Sequence, residues 1–136
     1  MNILYIANLR LPTEKAYGLQ IVKMCEAFAN LDLHTTLLVP SRNNQIKKSI
    51  FEYYNVKGNF TFKKAWSPDF YWPGILDKVA VTIKSFISAI VLAVCALNDK
   101  ADIFYSRDEG VIFTLSFFAK PRKLVFEAHK FSGVRL

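Results

Sequence analysis

Cysteine, histidine and glycine are all scarce in this chain of 136 residues, and each shortage removes a class of chemistry. The two cysteines, Cys25 and Cys95, and the two histidines, His34 and His129, have no spacing that would hold a zinc ion. Both cysteines fall among apolar neighbours in predicted helices. Buried free thiols in a reducing compartment are therefore expected. The five glycines form no GxGxxG fingerprint, which argues against a nicotinamide or flavin site, and no cofactor is expected. There is no run of five like charges and no arginine-rich arm, so nucleic acid is not an expected partner. The first apolar run is short, has no basic segment before it and continues as a strand pattern. It is expected to be a strand and not a signal peptide.

What is present is apolar and basic. Hydrophobic residues make up 52% of the chain, enough for the core of one domain, and the net charge is +7. That balance suits anionic partners such as phosphate-bearing substrates or acidic lipid surfaces, and equally a solvated basic exterior.

Strands and helices alternate. Strands are predicted at Asn2–Asn8, Thr35–Val39, Asn59–Ala65, Asp102–Ser106 and Lys123–Glu127. The third alternates Phe60 and Phe62 with Thr61 and Lys63, which places it near a sheet edge. Helices are predicted at Leu19–Leu31, Asn44–Tyr54, Ile75–Leu97 and Glu109–Phe118, the last ended by Pro121. In the longest, Leu76, Val79, Ile83, Phe86, Ile90, Val94 and Leu97 form an apolar face, read as the face that meets the sheet. Lys78, Thr82, Ser85 and Ser88 form a polar stripe. The uncharged run from Ser85 to Leu97 is short of the roughly twenty residues that a membrane span needs, so this is read as a core helix.

Such alternation implies a three-layer α/β domain with a parallel sheet and right-handed crossovers, in the expected strand order 3-2-1-4-5. Ligands in such sheets bind beyond the C-terminal strand ends at the reversal of order. The loops to watch are Leu9–Gly18, Arg107–Gly110 and Ala128–Gly133. In the first, Gly18 precedes a helix whose N-terminal N–H groups suit a phosphate or carboxylate; it could equally only permit the turn. Arg107 and Asp108 follow a buried strand, where Arg107 is placed to hold a phosphate or sugar hydroxyl with Asp108 orienting it. Alternatively Asp108 caps the next helix, and Arg107 pairs with Glu109 or Glu127. Aromatics are dense from Phe51 to Trp72, beside Arg42, Lys47, Lys48, Lys57, Lys63 and Lys64. This mixture suits a membrane interface or a sugar-bearing acceptor, and core packing accounts for part of it.

The opening ILYIANLRLPTEKAYGLQIVKMCEAFANL resembles the start of the retaining GT-B glycosyltransferases of family four. The fifth strand ends FEAH, similar to the YEAH- and VEAH-like endings of that family. The resemblance implies a Rossmann-like acceptor-side domain, expected to be an incomplete N-terminal part. The intact enzyme would move a hexose from a nucleotide-diphosphate sugar to a glycan or lipid-linked acceptor, with retention. It implies that His129 faces the donor sugar as a catalytic residue; by their positions, Gly18 and the helix start are expected to approach the donor or acceptor, and Arg107 and Asp108 to shape the crevice. Relatives often carry a glycine pair where this chain has Ala16-Tyr17-Gly18, and aspartate where it has Lys130. The family's glutamate pair, separated by seven residues in the C-terminal domain, has no match among Glu14, Glu26, Glu52, Glu109 and Glu127. The chain alone is therefore expected to be inactive and to need a complementing chain. A cytoplasmic location is expected, with peripheral contact at an anionic membrane. Two other readings stand beside this one: a non-catalytic remnant or partner subunit, and an unrelated flavodoxin-like binding domain.

Overall fold

Apolar strand runs separated by amphipathic segments fold into alternating strands and helices. The computed structural model describes residues 1–68, 73–118 and 123–128. The order is β1 (Asn2–Ile6), α1 (Ala16–Asn30), β2 (His34–Ser41), α2 (Ile50–Tyr53), β3 (Thr61–Trp66), α3 (Leu76–Leu97), β4 (Ile103–Ser106), α4 (Glu109–Phe118) and β5 (Lys123–Phe126). The strands form one sheet in the order β3-β2-β1-β4-β5, as the alternation predicts. Every neighbouring pair is parallel. Tyr5 lies between Leu37 of β2 and Tyr105 of β4, which fixes the register at the centre.

Successive side chains of a strand point to opposite faces, so the sheet carries two cores. Leu4, Ile6, Leu38 and Phe104 pack with α3 and α4 on one face. Tyr5, Ala7, Leu37 and Val39 pack with Ile21, Val22 and Cys25 of α1 on the other, where Ile50 and Tyr54 complete the layer. β3 is an edge strand with Thr61, Lys63 and Lys64 exposed, in line with its alternating sequence. Pro40 lies inside β2 without breaking the ladder. Leu38 accepts from the Ala7 N–H, so Pro40, two residues on, faces the same side, beyond the last residue of β1.

The structure corrects four expectations. α1 begins at Ala16, not Leu19, so Gly18 lies within its first turn. The predicted second helix shrinks to Ile50–Tyr53. Asn44 diverts its backbone: its side chain accepts from the Ile46 N–H and donates to the Pro12 carbonyl, a local bonding pattern that competes with helix. Cys95 is exposed, whereas Cys25 is buried; burial pushes the Cys25 thiol up to about 12. The fourth correction concerns which side of α3 meets the sheet. The apolar stripe predicted to lie inside is outside: Phe86 is 68% exposed, Ile90 40% and Val94 52%. The buried face is the small one, Ser88, Ala89, Ala93 and Ala96, with Leu92 as its bulk. Small side chains let the helix axis approach the strands closely, and that contact is kept in preference to burying the larger stripe. Among the described residues α3 is also the one helix long and apolar enough to cross a membrane, with a mean hydropathy of 2.2.

Candidate functional site

The C-terminal strand ends meet the first turns of α1 and α4 and the N-terminal half of α3. β4 ends at Ser106, a fully buried serine whose hydroxyl donates to the Ile6 carbonyl and accepts from the Asp108 N–H. This bond ties the β4–α4 turn to β1 at the reversal of strand order. Asp108 accepts from the Val111 N–H and so caps α4, the alternative role that its position suggested. α4 then lies close against α3. A Cβ on Gly110 would meet Ala89 at 3.4 Å and Asp108 at 3.2 Å, so the turn has little room for a side chain there. Arg107 donates to Gln20 of α1 at 3.3 Å. The residue pair 107–108 thus forms a ridge between two concavities.

The smaller concavity, about 180 Å³, lies between Asn8, Leu9, Tyr17 and the ridge. The larger, about 690 Å³, lies on the other side under the overhanging half of α3. Thr82, Ser85 and Phe86 form one wall and Phe126 another. This explains the polar stripe of α3. Thr82 and Ser85 of that stripe border the crevice, while Ser88, further along the helix, is buried.

A polar chain that the sequence reading missed ties this region together. The Asn8 amide donates to the Ser85 carbonyl at 3.0 Å, and its oxygen accepts from Arg42 at 3.0 Å. Arg42 also donates to Ser88 at 3.4 Å, and Ser88 shares a 2.6 Å hydrogen bond with Ser67. Ser88 is fully buried, so these bonds satisfy a hydroxyl that would otherwise cost free energy. The chain links the ends of three strands to α3. The signal in the sequence was Ser85 and Ser88, three residues apart in an otherwise apolar helix.

On the α1 side, Glu127 accepts from the hydroxyls of both Tyr5 and Tyr105, at 3.2 and 3.0 Å. Burial pushes the Tyr5 hydroxyl well above the ordinary tyrosine range, reinforced by the negative charge of Glu127. Tyr105 is pushed up to about 12, first by burial and then by its hydrogen bond to Glu127. The two phenols stay protonated and anchor the carboxylate at the end of β5.

Gly18 has a packing role. A Cβ there would collide with the Tyr54 hydroxyl and lie 2.6 Å from Thr13. Its own N–H donates to the Lys15 carbonyl. Tyr54 is buried, donating to the Thr13 carbonyl at 2.7 Å and accepting from the Thr13 N–H at 2.8 Å. It is therefore a clamp on the first loop and not an interfacial aromatic. His129 lies outside the described residues, as do Phe70, Tyr71, Trp72, Pro121 and most of the Ala128–Gly133 loop. Among the described residues no group of three or more His, Cys, Asp or Glu side chains could hold a metal ion.

No family model matches the chain, and no curated protein matches it either.

Proposed function

We propose that this chain supplies the acceptor-side, Rossmann-like domain of a retaining GT-B glycosyltransferase. The observation that carries the reading is the pairing of ridge and crevice. A parallel 3-2-1-4-5 sheet has its reversal between β1 and β4, and Arg107 and Asp108 stand at that point between two concavities. The likeness of the first thirty residues and of the FEAH segment to family-four enzymes gives the reading its chemistry. In it, the sugar acceptor enters beside Asn8, Ser85 and Arg107. His129 contacts the sugar in transfer, and a donor-binding domain supplies the glutamate pair and the cations for the nucleotide diphosphate.

The division of labour is tested by incubating the purified chain with a panel of nucleotide sugars and with lipid or glycan acceptors. No turnover is expected, because the sequence holds no glutamate pair of the required spacing. Robust transfer by the chain alone overturns the assignment. In an enzyme that includes a donor-binding domain, His129→Ala should lower turnover by about one to two decades, the equivalent of one lost hydrogen bond of roughly 1–3 kcal/mol. Wild-type turnover by the folded variant would remove His129 from the site.

A further inference from the structure

The aromatic and basic segment between residues 42 and 66 separates into two parts in the structure. Phe60 and Tyr54 go into the core. Four of the segment's cations gather around a cavity of about 520 Å³ beyond the ends of β2 and β3. Arg42, Lys47, Lys48 and Lys64 line it, together with the amides Asn43 and Asn44. No aspartate or glutamate is among its lining residues. Lys47, Lys48 and Lys64 differ in this from Lys63, which has the Asp99 carboxylate at 3.4 Å.

We propose that this cavity binds a phosphate-bearing ligand. Four cations around one concavity repel one another, and a multiply charged anion relieves that repulsion. The Lys47, Lys48 and Lys64 ammonium groups carry more donors than one carboxylate can use, which suits an anion with at least three acceptor oxygens. Phe51 and Phe62 form an apolar wall on which the rest of such a ligand can lie. Arg42 belongs both to this cavity and to the chain that reaches Asn8, so an anion here sits beside the crevice and is linked to it by hydrogen bonds. On the transferase reading above, this is where a phosphate group of the acceptor is held. The binding itself does not depend on that reading.

The test is calorimetric titration of the chain with pyrophosphate and with inorganic phosphate, at low and at physiological salt. Saturable binding that weakens with salt is expected. The double substitution Lys47→Gln/Lys48→Gln, and separately Lys64→Gln, should each weaken it about tenfold or more, the worth of one charge-assisted hydrogen bond, with an unchanged melting temperature. Amide NMR of the wild-type chain with pyrophosphate should shift residues 43–49, which keeps the proposal testable if a variant fails to fold. Vesicles of phosphatidic acid and of phosphatidylcholine separate the sources. Sedimentation with phosphatidic acid only, reversed by pyrophosphate, identifies a lipid headgroup. Pyrophosphate binding without sedimentation identifies a soluble phosphate ester. Absence of saturable binding to both phosphate probes, or affinity unchanged in both variants, overturns the proposal. Sugar transfer is not measured in any arm, so failure here leaves the transferase reading standing, and the converse also holds.

Discussion

α1 and α3 cover opposite faces of one sheet, and they do it in opposite ways. α1 turns its bulk inward: Ile21, Val22 and Cys25 are buried, while Lys23 and Ala27 face out. α3 turns its small residues inward and leaves Phe86, Ile90 and Val94 outside. Both have a clear helical period. A period identifies a helix and two faces, but bulk alone does not identify the buried one. Alanine and serine against the strands bring the α3 axis close and leave room for the Ser67–Ser88–Arg42 chain. The larger stripe, with Phe113 and Phe117 of the neighbouring α4, remains an exposed apolar surface.

The two helices depend most on their largest buried contacts. Ile21→Ala on α1 and Leu92→Ala on α3 should each cost roughly 2–5 kcal/mol in urea unfolding, because each removes a fully buried side chain and leaves a cavity. A negligible cost for Leu92→Ala would show that the small face is not what holds α3. Ala93→Leu tests the close approach itself. Three extra heavy atoms do not fit there, and the same experiment should show a loss of roughly 1–3 kcal/mol.

A smaller effect concerns the α1 face alone. Tyr5 and Tyr105 are kept protonated by burial and by Glu127, whereas a tyrosine in the unfolded chain ionises near pH 10. The unfolded state therefore releases its protons first. The stability from this pair is full below about pH 10 and declines as the pH rises toward about 12. Denaturant melts across that range should show the decline, and Tyr105→Phe should make it shallower while costing about 1 kcal/mol at neutral pH. An unchanged pH profile would detach Glu127 from the tyrosines. The smallest effect is expected on the outer stripe. Ile90→Ser and Val94→Ser should each change stability by no more than about 0.5 kcal/mol, as exposed substitutions do. A loss like that of Leu92→Ala would restore the face that the periodicity first suggested.

The sequence carried the class and strand order because apolar runs of strand length alternate with helix-length segments, and few topologies accept that pattern. Arg107 and Asp108 were legible for the same reason: a polar pair straight after a buried strand has only the crevice edge to occupy. Gly18 drew attention as a loop glycine, but its missing side chain makes room for Tyr54, a partner from far along the chain. The basic cavity was visible only as a composition of aromatics and lysines. Which of them turn inward depends on the β2–α2 loop, whose path is set by Asn44. The Asn8–Arg42–Ser88–Ser67 chain joins residues just past the ends of three strands to α3, and local pattern cannot bring those together.

A sugar acceptor is proposed to meet this domain at the ridge of residues 107–108. Amide NMR of the labelled chain, titrated with the acceptor panel used for the transfer assay, tests that directly. Saturable shifts centred on Asn8, Tyr17, Ser85, Arg107 and Asp108 are expected, and their loss in Arg107→Ala with the fold intact. Shifts confined to the outer faces of α3 and α4, or none at the ridge with any acceptor, would contradict that placement.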